Sequence, residues 1–180
     1  MKLRRPSPSG FSLIEVTIAL GIATFCLVAL FALLPIGLNT NRDTIEQTIA
    51  TSIAANIASD IRASLQAQVE AKKTGATAPT KSSLQIDLPF DVNGNVIATN
   101  GQTWMGGFNE GQSHFKGGSP ISPDDAKEAR YRAVVRYYPD TTNNKSVSAR
   151  IVVSWPAAID WTAGKNPSGS VDTVTAFVAP

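Results

Sequence analysis

A single carboxylate stands at the head of a long apolar stretch near the amino terminus. Glu15 is followed by residues 16–38, which contain no charged side chain. A charged group at the edge of a hydrocarbon layer is costly, and acids in such positions are usually functional. Ahead of it, Gly10 and Phe11 follow nine residues that include three basic side chains and no acid. A simple membrane anchor would gain nothing from Glu15, so its position points to a function.

The apolar stretch is long enough to cross a membrane. As an α-helix of about 1.5 Å rise per residue, 16–38 would extend roughly 35 Å, against a hydrocarbon core of about 30 Å. The basic leader predicts a cytoplasmic amino terminus, with the rest of the chain on the other side. A secretory signal would have an apolar core of about 7–15 residues and a small-x-small cleavage site. This stretch is longer and ends in Pro35-Ile36-Gly37-Leu38, which favours a membrane anchor.

The remaining candidates for chemistry form no catalytic or metal-binding constellation. Cys26 is the only cysteine and His114 the only histidine, which excludes an intramolecular disulfide, a cysteine zinc site and a multi-histidine metal centre. Asp124 and Asp125 are interpreted as a turn cap, because a calcium site needs several converging oxygens. The sequence therefore predicts no enzyme, no cofactor and no metal.

Arginines in the last third of the chain could instead contact nucleic acid. Three alternate with apolar residues along one predicted strand and a fourth lies on the next: Arg130, Arg132, Arg136 and Arg150. On an exposed face they would meet phosphates, with Tyr138 or Trp161 available for base stacking. However, the net charge of +2 leaves no large positive field. The preferred interpretation is a solvated strand face with cross-strand partners, and nucleic acid is not expected as a partner.

A second helical segment is predicted over residues 39–73. Its large apolar residues recur every four positions: Ile45, Ile49, Ile53, Ile57, Ile61, Leu65 and Val69. On an α-helix such a row drifts about 40° per step and sweeps about 240° in all. Either its early part faces neighbouring helices while its later part packs under the protein's own sheet, or the whole row fits one curved groove. The constant spacing disfavours a heptad coiled coil. Gly75 is expected to end the helix after Lys72 and Lys73.

Short alternating runs after residue 83 predict a β-sheet domain. Leu84–Leu88 is one predicted strand, and Asn93-Gly94 marks a hairpin turn. The glycine-rich residues 99–129 are predicted to form a long surface loop. The clearest alternation predicts a three-stranded antiparallel meander over residues 130–137, 147–155 and 171–178. The tryptophans are expected to be packing anchors: Trp104, Trp155 and Trp161.

The amino-terminal string Gly10-Phe11-Ser12-Leu13-Ile14-Glu15-Val16 resembles the prepilin signal of type IV pilins and pseudopilins. The resemblance implies that a prepilin peptidase/methyltransferase cleaves between Gly10 and Phe11 on the cytoplasmic side and N-methylates Phe11. It also implies that Glu15 becomes the fifth residue of the mature chain and pairs with the terminal amine of a neighbouring subunit. Such pairing would make a buried charge tolerable and would select the axial stagger of a filament.

A weaker resemblance concerns the last strands. Ile151–Pro156 and Val171–Val178 look like the final strands of I-type minor pseudopilins and related minor pilins. Together with Pro35-Ile36-Gly37-Leu38, they are also similar to the Verru-Chthon cassette protein B family of prepilin-like proteins. Major pilins often carry a carboxy-terminal disulfide loop and major pseudopilins a calcium loop. This chain cannot form the first and shows no convincing acid cluster for the second, which favours a minor subunit.

These observations predict an α+β, pilin-like fold in which a long amino-terminal α-helix, half transmembrane and half amphipathic, packs against a small antiparallel β-sheet. The expected segments are listed in chain order: leader 1–10, transmembrane and assembly helix 11–38, amphipathic half 39–73, linker 74–83 and β-domain 84–180.

The predicted function is that of a minor pseudopilin-like structural subunit in a type II secretion or type IV pilus-like filament. Its expected partners are the prepilin peptidase, other pseudopilins or pilins, and the bacterial inner membrane, with the carboxy-terminal domain in the periplasm. Two alternatives stay open. One is a competence-type pilin that binds DNA through Arg130, Arg132 and Arg136, and the other is a simple single-span anchored protein.

Overall fold

One α-helix and five β-strands make up the regular structure of the residues that the structure describes. The computed structural model describes residues 10–109, 116–118, 128–142, 145–159 and 163–179, with only the backbone described at 35–39 and 116–118. The elements in these ranges are α1 (Leu13–Thr74), β1 (Thr103–Phe108), β2 (Lys116–Gly118), β3 (Tyr131–Pro139), β4 (Ser146–Trp155) and β5 (Gly169–Val178). The predicted α+β class is confirmed.

The chain divides into two compact units, with the boundary between Thr44 and Ile45. The described part of the first unit contains the amino-terminal half of α1. There, Leu13–Leu34 is a 22-residue helical stretch long and apolar enough to cross a membrane, and none of it is buried. At about 1.5 Å per residue it extends roughly 33 Å, which matches a hydrocarbon core. Cys26 lies on this stretch and is exposed.

The second unit contains the rest of α1 and the five strands, joined in one antiparallel sheet of order β2-β1-β3-β4-β5. The adjacent strands β3, β4 and β5 confirm the predicted meander. The pairing of β1 with the other edge of β3 was not predicted.

Both ends of α1 carry charges that suit the helix dipole, with Glu15 in the first turn and Lys72 and Lys73 in the last. The helix stops where the sequence predicts. Gly75 has a φ of 72°, and the amide of Ala76 donates to the carbonyl of Ala71 at 3.0 Å. This is the Schellman arrangement, in which a glycine in the left-handed region ends the helix.

The prediction of a long loop over residues 99–129 is wrong, because β1 and β2 lie within it. The cause is Gly106 and Gly107, which hide the alternation of β1. A Cβ at Gly106 would lie 2.2 Å from Cη2 of Trp104, so the glycine makes room for the buried indole. Trp155 likewise lies against Gly169, its register partner on β5. Trp104 and Trp155 are packing anchors, as predicted.

The predicted strand Leu84–Leu88 is also wrong, since the β-type pairing in and around this region is limited to two isolated bridges, Lys81 to Asp87 and Phe90 to Val96. Its alternation does report burial, because Leu84, Ile86 and Leu88 all enter the core. A turn interrupts the extended backbone. The Ser82 amide donates to the Ile86 carbonyl at 2.8 Å, and Gln85 has a φ of 61°.

The predicted Asn-Gly turn is confirmed and is held by a carboxylate. Gly94 has a φ of 81°, and Asp91 Oδ1 accepts from the amides of Asn93 and Asn95, each at 2.8 Å. Donation by the Asn95 side chain is the main cause that lowers the pKa of Asp91, followed by the Asn95 backbone amide. The ionised form therefore stabilises the turn above the ordinary aspartate pKa of about 3.9, and this stabilisation is lost as the pH falls through the lowered pKa.

The core lies between one face of α1 and one face of the sheet. The seam of the helical face alternates steps of four and three residues, which keeps it straight along the axis: Ala50, Ala54, Ile57, Ile61, Ser64, Gln68 and Ala71. Side chains of β3 that face it are Tyr131, Ala133, Val135 and Tyr137. Burial raises the pKa of Tyr137, whose hydroxyl donates to the Asp87 carbonyl at 2.9 Å.

The single curved groove expected for all seven residues of the four-step row is wrong. Ile57 is fully buried, but Ile45 is 49% exposed and Ile49 and Val69 are only partly covered. The later part of α1 packs under the protein's own sheet, which agrees with that half of the alternative interpretation. Contact of the early part with neighbouring helices stays a prediction. The row misled because it counts only large side chains, whereas alanines and two polar residues complete the buried face.

Gln68 is one of these polar residues, and it is 1% exposed. Its Nε2 donates to the Pro79 carbonyl at 2.7 Å and to the Phe90 carbonyl at 3.2 Å. These carbonyls belong to the irregular segment between α1 and β1, so the amide fixes that segment against the helix. These bonds compensate the donor half of the amide for leaving water, whereas Oε1 is buried without a hydrogen-bond partner among the described residues.

Two isoleucines of α1 provide a test of the packing. We expect Ile57→Ala to lower the free energy of unfolding of the second unit by about 2–5 kcal/mol, because it leaves a cavity in the core. The control Ile45→Ala, at a half-exposed site on the same helix, should change it by about 0.5 kcal/mol or less. Chemical denaturation of the full chain in detergent measures both. Equal losses would contradict the assigned helix face.

Candidate functional site

The region predicted to be processed begins with a short non-helical segment. Gly10, Phe11 and Ser12 precede α1, whose first residue is Leu13. The side chain of Phe11 is 89% exposed. Among the described residues, nothing lies within 4 Å of a Cβ built at Gly10. The peptide bond between Gly10 and Phe11 is thus exposed and outside the helix.

Ser12 caps the amino terminus of α1. Its carbonyl accepts from the Val16 amide at 3.2 Å, the first bond of the helical ladder. Its Oγ accepts from the Ile14 amide at 3.4 Å. The opening turn of a helix leaves four amides without backbone acceptors, and a serine in this position satisfies one of them.

Glu15 completes the cap, because its Oε2 accepts from the Ser12 amide at 2.9 Å. Ser12 and Glu15 therefore form a capping box, the reciprocal arrangement typical of Ser-x-x-Glu at a helix start. The sequence analysis assigned Glu15 a partner only in a neighbouring subunit and missed its hydrogen bond to the Ser12 amide. The signal was available, since serine precedes glutamate by three residues at the start of an apolar run.

Beyond the cap, the apolar stretch presents hydrophobic side chains on all sides. Glu15 is the only acidic or basic residue of Leu13–Leu34. Phe25, Phe31 and Leu20 are among the large apolar residues that stay more than 60% exposed. A helix that is apolar all round needs a nonpolar surrounding, either lipid or other helices. The region has the composition of a membrane span or signal anchor.

The arginines proposed for a basic face are not displayed together. Arg130 Nη2 contacts Glu46 Oε1 of α1 at 2.6 Å. Arg132 is 5% exposed, and its Nε donates to the Ala157 carbonyl at 2.9 Å. The expected solvated face is therefore wrong at Arg132. Arg136 is half-buried.

Arg150 is the arginine that fits the preferred interpretation. Its Nε donates to both carboxylate oxygens of Asp172, the neighbour on β5, at 3.0 and 2.9 Å, and its Nη2 contacts the same carboxylate. This pair is largely exposed. Hydrogen bonding to Asp172 is the main cause that raises the pKa of the Arg150 guanidinium, so the group remains charged throughout the biological range.

Several other predicted residues lie outside the described part of the chain: His114, Asp124, Asp125 and Trp161. Among the residues that are described, no group of three or more histidine, cysteine, aspartate or glutamate side chains could hold a metal ion. Comparison of the chain with family models, curated proteins and solved structures finds no match. The roles of Gly10 and Phe11 in processing, and of Glu15 in assembly, therefore stay predictions.

The capping box gives a prediction about the first helical turn. Ser12→Ala removes one acceptor and should reduce local helix stability by about 1 kcal/mol. Glu15→Ala should expose the Ser12 amide, whereas Glu15→Gln should keep it bonded, because glutamine also completes a capping box. Hydrogen exchange of the Ser12 and Ile14 amides in detergent-solubilised full chain measures this. If the Ser12 amide exchanges at the same rate in Glu15→Gln and in Glu15→Ala, the described hydrogen bond from that amide to residue 15 is contradicted.

Proposed function

We propose that this chain is a pilin-like structural subunit, of the minor pseudopilin kind, that is anchored in the bacterial inner membrane and assembles with other pilin-like subunits into a filament. In this proposal its amino terminus begins in the cytoplasm and its β-domain lies in the periplasm. A prepilin peptidase removes residues 1–10 and methylates the new amino terminus at Phe11. The protein then acts by assembly and carries out no reaction of its own.

One observation carries this proposal. A fully exposed apolar helical stretch, Leu13–Leu34, has its only charged residue in its first turn, directly after an exposed, non-helical Gly10-Phe11. A peptidase acts on extended backbone, and the cap at Ser12 keeps the helix from extending back over the proposed cleavage site. Among the described residues nothing lies within 4 Å of a Cβ built at Gly10, so none of them obstructs a processing enzyme there.

Capping and assembly can use the same carboxylate. Glu15 Oε2 accepts from Ser12, while Oε1 has no hydrogen-bond donor among the described residues. A carboxylate has about four acceptor sites, so Oε1 remains able to accept a hydrogen bond from the methylated ammonium group of a neighbouring subunit. An ion pair of this kind in a nonpolar surrounding would offset the cost of burying both charges. The cap would also hold the carboxylate in one orientation for that contact.

The simple membrane anchor is the rival proposal, and it requires neither Gly10 nor a carboxylate at residue 15. The exposed apolar stretch is equally compatible with it. The proposals differ in covalent structure, because only a pilin-like subunit loses its leader. Nothing in the described arrangement of the arginines favours DNA binding as a second function.

Processing is tested by the intact mass of the chain purified from membranes of cells that contain a prepilin peptidase. We expect a chain that begins at Phe11 and carries one added methyl group. Gly10→Val should leave the leader attached, whereas the control Gly21→Ala, at another glycine with nothing within 4 Å of an added Cβ, should be processed normally. A full-length wild-type chain, or cleavage elsewhere, would overturn the proposal.

Assembly is tested by substitutions that separate the charge of Glu15 from its cap. We expect both Glu15→Ala and Glu15→Gln to insert normally and to be lost from the sheared filament fraction, because each lacks the negative charge. The control Glu70→Gln alters only a surface pair with Lys73 and should assemble like the wild type. Recovery of Glu15→Gln at wild-type level would show that the cap alone suffices, and would reject the intersubunit ion pair.

A further inference from the structure

Among the described residues, the outer edge of β5 lacks the features that usually protect an edge strand. β5 is the last strand in the sheet order and runs for ten residues, Gly169–Val178. It contains no proline and no lysine. Its one charged residue, Asp172, is neutralised by Arg150 of β4. Long edges of this kind readily pair with another strand unless charge, proline or a covering segment prevents it.

Alternate residues of β5 direct their backbone groups away from the sheet. The Ala179 amide donates to the Lys145 carbonyl of the β4 side at 2.7 Å. In an antiparallel ladder both backbone groups of a residue point to the same side, and successive residues alternate. The outward-directed residues of β5 are therefore Ser170, Asp172, Val174, Ala176 and Val178. Val174 and Val178 are also 68% and 70% exposed.

A groove of about 370 Å³ lies beside this edge, between β5 and α1. Leu65 and Val69 of α1 and Phe177 and Val178 of β5 contribute its apolar lining, and Arg62 lies at the same groove. All of these residues belong to the second unit. The volume falls within the range of sites that accept small ligands or single side chains. We define the β5 edge surface as the outer edge of Gly169–Val178 together with this groove.

Arg62 places a positive charge at the groove. Its guanidinium carbon lies 5.6 Å from the centre of the Phe177 ring, and its Nη2 donates to Thr175 Oγ1 at 2.6 Å. The residue is exposed, and none of the salt bridges among the described residues includes it. Phe177 and Thr175 fix the orientation of a cation that still has donors for a carboxylate.

We propose that the β5 edge surface binds an extended segment of a different protein, which adds to the sheet as a sixth strand. The segment has apolar side chains that enter the groove and one carboxylate, on the side facing α1, that pairs with Arg62. Backbone bonds to the outward groups of β5 provide affinity, while the groove and the cation select the sequence. This inference goes beyond the proposed function and does not require that the leader be removed.

Charge and strand geometry favour a different protein over a second copy of this chain. The face of β5 toward α1 carries Thr175 and Phe177, whereas Asp172 pairs in register with Val152 and lies on the opposite face. If β5 paired antiparallel with β5 of a second copy, the two-fold axis would be perpendicular to the sheet, and the aspartates would stay on the face away from each Arg62. Both Arg62 side chains would then lack an acid, so self-pairing leaves the cation without its complement.

The test uses full chain in detergent at low salt and two labelled ten-residue peptides that alternate valine and threonine. One central valine is replaced by glutamate in the first peptide and by lysine in the second. We expect the glutamate peptide to bind roughly tenfold more tightly, and Arg62→Glu to reverse the order. Fluorescence anisotropy measures the affinities, and hydrogen exchange should show new protection at the Val174 and Ala176 amides.

A matched pair of variants tests the strand edge itself. Val174→Pro removes an outward amide without removing a bond to β4, so it should abolish binding while the unfolding midpoint stays near that of wild type. The control Val174→Thr keeps the amide and should bind normally. Equal affinity for both peptides, or undiminished binding by Val174→Pro, would overturn the proposal. A concentration-dependent dimer that Val174→Pro dissociates would assign the surface to a second copy instead.

Discussion

Burial of one face of α1 against the sheet is the interaction on which the second unit depends. Small side chains at Ala50, Ala54 and Ala58 allow the helix to lie close, and Ile57 and Ile61 fill the space between layers. The opposing sheet face is lined by β3 and β4 residues that would otherwise meet water. Because strands of this length are marginal without a covering layer, the helix is part of the domain and more than a tether to it.

The same helix behaves differently along its length because its composition changes. In Leu13–Leu34 every side is apolar and nothing is buried, whereas from Ala50 onward only one face is apolar and that face is covered. The first pattern requires a nonpolar environment from outside the chain, and the second obtains one from the chain's own sheet. A single α-helix therefore combines a segment that needs a nonpolar surrounding with a segment that packs against the chain's own sheet.

Periodicity predicted those features in which side-chain type reports burial directly: the apolar span, the helix end at Gly75, the meander and the anchoring roles of Trp104 and Trp155. It failed where a position depends on a distant neighbour. Gly106 has no side chain because an indole occupies the space, and a strand that contains it reads as a loop. Ser64 and Gln68 are polar residues outside the predicted apolar row, yet both are buried. The prediction of a solvated Arg132 failed for the same reason. Strand alternation does not reveal that its guanidinium donates to the backbone carbonyl of Ala157.

The position of the cap relative to the proposed cut has a consequence for the precursor. Ser12, Ile14 and Glu15 all lie on the carboxy-terminal side of the Gly10–Phe11 bond, and no described capping bond reaches back across it. Removal of the leader would therefore change the covalent structure and the charge at the membrane surface while leaving the helix start as it was. None of these capping bonds would have to break or form again on cleavage, so maturation would chiefly change the charge that precedes the helix.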